Sequence, residues 1–235
     1  MNQRLVTVFP YPDGVVKFKF FLITLLALLG LYAVIYPFMV ESMATSEDSI
    51  YVSIPFFMTY GILSALFVFR SGIPSHAFGL RLTGSGPIVK SLKWSLLFIL
   101  ALTIIKWVLT IAPTKWMGRP VIELTFFEQF GGLKTLSFIV LYLLFVPVQE
   151  FIVRSALMGS ILYYLKGPIV PVLSVLVSAI LYSLAHLYMG WFVSLAVLLP
   201  GLFWAILFYK TKSLAAVSIS HAIIGLYTLF FLNLI

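Results

Sequence analysis

Cysteine is absent from the 235 residues of this chain, and charged side chains make up only 9% of it. Without cysteine there can be no disulfide, no thiol nucleophile and no thiolate ligand for a metal. Soluble proteins carry about 25% charged residues, whereas this chain is 62% apolar. The composition therefore predicts an all-α fold, a polytopic transmembrane bundle of helices.

Seven apolar runs are predicted membrane spans, in keeping with a chain of this length at about 20 residues per span. They cover residues 18–40, 51–70, 90–111, 134–164, 168–187, 191–209 and 213–233. The fourth run is longer than a bilayer needs, which predicts that it tilts, protrudes or bends at Pro147. Almost no polar residue separates the fifth run from the sixth, so a short turn is expected near Met189 and Gly190.

Basic residues are distributed unevenly between the predicted loops. With the N-terminus in the cytoplasm, the inner side holds Arg4, Lys17, Lys19, Arg70, Arg81, Lys90, Lys93, Lys166, Lys210 and Lys212. Only Lys115, Arg119 and Lys134 then lie outside. Inner loops are enriched in Lys and Arg, so this orientation is the predicted one, and we expect a prokaryotic plasma membrane. The net charge of +8 is thereby explained without nucleic acid as a partner.

The spans and loops predict a sequential domain organisation. A cytoplasmic tail, residues 1–17, precedes N-terminal spans in residues 18–111, an outer interfacial loop in residues 112–133 and a C-terminal core in residues 134–235. Within the tail, residues 6–16 contain a Pro-Asp-Gly turn between short apolar stretches and predict a small β-hairpin.

Five of the polar side chains within the apolar runs of the C-terminal core stand out: Gln149, Glu150, Arg154, His186 and His221. A charge inside a membrane costs about 2.5–3.5 kcal/mol on insertion scales, so such residues usually have a partner or a function. Glu150 is also the only acidic residue after position 128. Any carboxylate chemistry in this half of the chain must therefore use Glu150.

These residues leave several functions open. Glu150 and Arg154, four residues apart, can neutralise each other on one helix face, and the histidines can be packing residues or haem ligands. If the helices converge, a carboxylate and an imidazole can activate water while a second imidazole stabilises an oxyanion. That arrangement favours an intramembrane hydrolase. Three alternatives remain. The chain can be a proton-coupled transporter that relays protons through Glu150 and Arg154, or it can be a structural protein. Two His and one Glu can also form a zinc site.

Three motifs in order along the chain resemble a known family. They are Gln149-Glu150-x-x-x-Arg154, Tyr182-x-x-x-His186 and His221-x-x-x-Gly225, preceded by Phe78-Gly79-Leu80-Arg81. Together they resemble the CPBP family of CAAX prenyl proteases of the Ras-converting type and bacteriocin-processing or self-immunity membrane proteins, also called Abi. The pattern of that family is Glu-Glu-x-x-x-Arg, Phe-x-x-x-His and His-x-x-x-Asn or Asp.

The resemblance implies a glutamate-dependent intramembrane endopeptidase that cleaves membrane-proximal peptides without a metal or another cofactor. In the family, the first Glu and the first His activate water, and the last His with the Asn stabilises the oxyanion. Those places fall on Gln149, His186, His221 and Gly225, so two of the four depart from the pattern. Catalytic candidates are therefore Glu150, His186, His221, Gln149 and Arg154. The alternative is a catalytically impaired relative that acts as a membrane scaffold or an immunity-type binding protein.

Overall fold

The structure, a computed structural model, describes residues 12–41, 49–80 and 84–232 and contains only helices and loops there. The α-helices are α1 (Pro12–Glu41), α2 (Ser49–Arg70), α3 (Gly86–Ile111), α4 (Thr125–Glu150), α5 (Gly159–Tyr164), α6 (Val170–Leu184), α7 (Trp191–Thr211) and α8 (Leu214–Tyr227). Short 3-10 helices cover Ser75–Phe78 and Leu187–Met189, and π-helices cover Phe151–Met158 and Thr228–Leu232. The predicted all-α class is confirmed.

Each predicted apolar run coincides with a helical segment, although fewer of these segments qualify as spans. Within the described residues, four helices are long and apolar enough to cross a membrane: Gly86–Ile111, Gly132–Tyr164, Trp191–Thr211 and Leu214–Leu232. The helices at Pro55–Arg70 and Val170–Leu184 are apolar but shorter. These features support an integral membrane protein, whereas the count of seven spans and the orientation remain predictions.

The predicted hairpin is wrong over its second half, because residues 12–16 belong to α1. Pro12 begins that helix, and proline suits a first helical position since its missing N–H is one that the helix leaves unpaired. The first half of the hairpin, residues 6–9, lies outside the described residues. Likewise α4 begins at Thr125, inside the predicted interfacial loop.

Contacts between the helices divide the chain into two compact units, while the sequential domain organisation remains a prediction. The first contains residues 1–81 and 148–214, and the second contains residues 82–147 and 215–235. In the first unit, Gly79 adopts φ 67°, and a Cβ there would lie 2.7 Å from the Phe208 ring. Its carbonyl accepts a hydrogen bond of 2.9 Å from the Leu214 N–H. Glycine is therefore required for this turn both by backbone conformation and by close packing.

In the second unit, side-chain hydroxyls join α3 to α8. Ser95 donates to the Ser220 hydroxyl at 2.7 Å, and the hydroxyls of Thr103 and Tyr227 lie 2.9 Å apart. Small and hydroxyl-bearing residues let membrane helices approach closely and hydrogen-bond across their interface. Near the end of α3, the buried Lys106 ammonium donates to Glu123 at 2.7 Å. The backbone of Glu123 is fixed as well, since its N–H donates a hydrogen bond to the Phe231 carbonyl at 2.8 Å.

Candidate active site

Glu150 and Arg154 form a buried ion pair in the first unit. Both side chains are 0% exposed, and the Arg154 Nε donates to the Glu150 Oε2 at 3.1 Å. The pair spans the point where α4 passes into the π-helix Phe151–Met158. Single π-turns within helices are uncommon and often mark functional positions. The two charges thus compensate each other, which is one of the alternatives that the sequence left open.

Arg154 also joins the π-helix to α6 and α7. Its Nη1 donates to the Ser178 hydroxyl, and its Nη2 donates to the Gly201 carbonyl at 3.0 Å. The guanidinium carbon lies 5.5 Å from the centre of the Tyr182 ring. A planar guanidinium can satisfy several acceptors at once while stacking on an aromatic face. Arg154 thus holds three helices together, and its charge is compensated by Glu150.

Gln149, the neighbour of Glu150, lies instead on the wall of a cavity. This cavity has a volume of about 610 Å³, which includes the space at its mouth. Its lining comprises Leu25, Leu29, Tyr32, Phe56, Phe57, Tyr60, Gln149, Ile152, Val153, Leu181, Tyr182, Ala185 and His186. Apart from three tyrosines, Gln149 and His186 are the only polar residues of that lining. The accessible surface of the cavity is apolar, which suits an apolar ligand or an apolar part of one.

His186 lies two residues beyond Leu184, the last residue of α6, and its ring is hydrogen-bonded to the backbone of that helix. The Nδ1 lies 2.8 Å from the Tyr182 carbonyl oxygen. A carbonyl oxygen only accepts hydrogen bonds, so Nδ1 carries the proton and donates it. The neutral ring then has its acceptor lone pair on Nε2. This is the form of histidine that can take a proton from water.

His221 and Gly225 belong to the second unit, on α8. His221 is buried, at 3% exposed, and its ring meets Tyr142 edge-on with the centroids 6.2 Å apart. Tyr142 also covers Gly225, since a Cβ at Gly225 would lie only 1.8 Å from the Tyr142 hydroxyl oxygen. The space that the family pattern gives to an Asn or Asp side chain is therefore filled by a tyrosine from α4. The sequence contains no signal that Tyr142 fills this space, because Tyr142 lies outside the motifs.

We expect that Gly225→Asn will destabilise the protein instead of restoring the family motif. The new Cβ would overlap the Tyr142 hydroxyl, and overpacking of this kind typically costs about 1–3 kcal/mol. Thermal unfolding in detergent measures the loss. The double variant Gly225→Asn with Tyr142→Ala should recover most of it, and Tyr142→Ala alone serves as the control for the cavity that it creates. A single Gly225→Asn protein as stable as the wild type contradicts the packing described here.

The structure thus brings Gln149 and His186 to one cavity and holds Glu150 with Arg154. The catalytic roles of all five candidate residues remain predictions. No group of three or more His, Asp or Glu side chains that could hold a metal ion occurs within either unit in the part of the chain described. Sequence reasoning missed two residues. Ser178 accepts a hydrogen bond from Arg154, and Tyr60 lines the cavity.

The comparisons with known proteins bear on the same region. Residues 132–227 match the family model described as Rce1-like, type II CAAX prenyl endopeptidase Rce1-like. The matched region includes every motif position from Gln149 to Gly225. No curated protein and no solved structure matches the chain. The family match agrees with the resemblance inferred from the three motifs.

Proposed function

We propose that this chain, whose residues 132–227 match the model of the Rce1-like family of type II CAAX prenyl endopeptidases, cleaves membrane-proximal peptides with His186 as the proton acceptor. The observation that carries the proposal is that Gln149 and His186 line one largely apolar cavity. As the first substrate class we propose peptides that end in a prenylated Cys-aliphatic-aliphatic-X sequence. The apolar walls of the cavity suit such a peptide.

In the proposed reaction, the Nε2 of His186 takes a proton from a water molecule that the Gln149 amide orients. The water oxygen attacks the peptide carbonyl carbon and forms a tetrahedral intermediate. The carbon–nitrogen bond then breaks, and the proton passes from His186 to the leaving amine. The products are a carboxylic acid and a free amine, with no redox change. The resemblance assigns oxyanion stabilisation to His221, and we retain that assignment.

We assign Glu150 and Arg154 a positioning role. A carboxylate paired with a guanidinium is a poorer base than an isolated one, because the pair favours its charged form. Arg154 also contacts Ser178 on α6, the helix that precedes His186. The pair therefore supports the cavity wall on which His186 lies. Loss of Glu150 should lower stability and turnover together, whereas loss of His186 should lower turnover alone.

A second candidate function is capture of the peptide without hydrolysis, as in a scaffold or immunity-type protein. The observation that favours it is the identity of residue 149. In the family, a carboxylate in that place takes the proton, whereas the Gln149 amide can orient water but cannot act as a base. Under this alternative, the wild-type protein binds the peptide in the same cavity and releases it intact.

His186→Ala is expected to lower the cleavage rate by about 100-fold, the low end of what general-base catalysis contributes. The measurement uses the full chain in nanodiscs and mass spectrometry of a prenylated Cys-aliphatic-aliphatic-X peptide. His76→Ala is a matched control, because His76 is exposed and lies outside the cavity lining. Equal cleavage by the wild type and His186→Ala would overturn the proposed catalytic role. Binding of the peptide by wild type with no product would instead support capture.

A further inference from the structure

Basic side chains of the first unit are concentrated at or just beyond the ends of four helices, namely the beginning of α1 and the ends of α2, α5 and α7. They are Lys17, Lys19, Arg70, Lys166, Lys210 and Lys212. All are exposed except Lys212, which is half-buried. Among the residues at these helix ends, the sequence has a single acidic one, Asp13. The charge of this region is therefore strongly positive.

Contacts within the unit show that the four helix ends are neighbours. The centre of the Phe18 ring in α1 lies 6.4 Å from that of Phe67 in α2 and 5.4 Å from that of Tyr164, the last residue of α5. The turn that follows α2 reaches the end of α7, because the Leu214 N–H donates to the Gly79 carbonyl at 2.9 Å. The six cations thus share one end of the unit, which we call the basic end.

Large apolar side chains are exposed directly beside these cations. Phe20, the neighbour of Lys19, is 73% exposed, and Phe69, the neighbour of Arg70, is 82% exposed. Ile169, just before α6, is 70% exposed. In a membrane protein, such side chains contact lipid, while lysine and arginine at the same depth extend their charged groups to the headgroups. The basic end therefore lies where the apolar layer of the membrane gives way to the phosphates.

Lys212 differs from the other five cations in its backbone and its surroundings. Its φ of 47° makes it the one residue other than glycine with a positive φ in the described part of the chain. Its Nζ lies 4.8 Å from the centre of the Tyr209 ring and has neither a carboxylate nor a hydrogen-bond acceptor among the described residues. That nitrogen is not one of the fully buried polar atoms, so an external anion can reach it. Partial burial lowers the pKa of the ammonium, and an adjacent anion would offset that effect.

We propose that the basic end of the first unit binds anionic phospholipids, with its cations contacting headgroup phosphates and Lys212 binding one of them. Four to eight basic residues beside a membrane segment are typical of proteins that recognise anionic lipids. A soluble anion would interact with the charges only, whereas a lipid also covers the exposed phenylalanines. The ligand favoured by both features together is therefore a phospholipid.

The test is native mass spectrometry of the full chain in detergent, titrated with phosphatidylglycerol or with phosphatidylcholine. Phosphatidylglycerol should bind at least about 10-fold more tightly, because it carries a net negative charge and phosphatidylcholine does not. The triple variant Lys17→Gln, Lys19→Gln and Lys166→Gln should weaken binding of phosphatidylglycerol about 100-fold, at about fivefold for each basic residue near an anionic group. No peptide is present, so the outcome is independent of the proposed function.

A matched control removes three exposed cations from the second unit. Lys115→Gln, Arg119→Gln and Lys134→Gln together should change the affinity for phosphatidylglycerol less than about twofold. Equal affinity for the two lipids would overturn the proposal, as would a loss in the control as large as in the first triple variant. Displacement of phosphatidylglycerol by millimolar inorganic phosphate would identify a site for free phosphate and would overturn it too.

Lys212→Asn separates lipid binding from a structural role of this lysine. Asparagine adopts the left-handed conformation more readily than lysine, so the variant should raise the Tm by about 2–4 °C. Its affinity for phosphatidylglycerol should nevertheless fall about fivefold, because the cation is lost. Unchanged affinity would overturn the assignment of Lys212, and a lower Tm would show that its ammonium stabilises the fold instead.

Discussion

Replacing Gln149 by glutamate is expected to raise the rate of peptide hydrolysis by about 100- to 10,000-fold, the range that a well-placed general base contributes. Glutamine and glutamate have nearly the same shape, so the substitution changes the chemistry of the side chain without changing its packing. Gln149 already lies on the cavity wall with His186. A carboxylate there adds a second proton acceptor beside the Nε2 of His186, in surroundings that are mostly apolar.

The measurement is kcat and KM for the prenylated peptide, with the gain expected in kcat. Gln149→Met is the matched control, because it keeps an unbranched side chain of similar length and has no group that can act as a base. Adding His186→Ala to Gln149→Glu should remove most of the gain, since a carboxylate and an imidazole that act on one water molecule are not independent. A Gln149→Glu protein no faster than the wild type would show that residue 149 does not face the reacting water.

The same comparison distinguishes the two candidate functions. Slow cleavage by the wild type and fast cleavage by Gln149→Glu support a peptidase that works with His186 alone. Binding without cleavage by the wild type, together with cleavage by Gln149→Glu, supports a capture protein that keeps the fold of a peptidase. Both outcomes require that the peptide binds in the cavity. Only the first also requires that His186 alone serves as the proton acceptor in the wild type.

The positions of the helices followed from the apolar runs, because long continuous runs permit little but helix in a membrane. The ion pair was also predictable, since two opposite charges four residues apart meet on one helix face. Which of Gln149 and Glu150 faces the cavity was not predictable. Adjacent residues on a helix point about 100° apart, and the π-helix that begins at Phe151 shifts the register just beyond them.

Contacts between residues far apart in the sequence were equally beyond prediction. From the sequence alone, Gly225 in place of the family Asn indicates only that a side-chain hydrogen-bond donor is missing. In the structure, Tyr142 fills that space, and the exchange becomes visible only when α4 and α8 are packed together. Tyr60 carries no motif at all. Its hydroxyl has no hydrogen-bond partner among the described residues, which is a property of the packed structure alone.

Replacing Arg154 by methionine is expected to lower the free energy of unfolding by about 3–5 kcal/mol, the usual cost of leaving one partner of a buried ion pair uncompensated. Glu150, 0% exposed, would lose the guanidinium that compensates its charge. Ser178 and the Gly201 carbonyl would lose a donor at the same time. Unfolding of the protein in mixed micelles by increasing fractions of SDS measures the loss. Lys93→Met, which removes an exposed cation from α3, should have no measurable effect.

The double variant Glu150→Leu with Arg154→Met separates the cost of an unpaired charge from the cost of lost packing. Apolar replacement of both members of a buried pair is often neutral, so the double variant should be more stable than Arg154→Met alone. A double variant less stable than the single one would mean that Glu150 stabilises the fold independently of Arg154. Recovery of stability without recovery of cleavage would instead show that the pair is needed for cleavage beyond its contribution to stability, because the double variant is folded but lacks both the Glu150 carboxylate and the donors that tie the π-helix to α6 and α7.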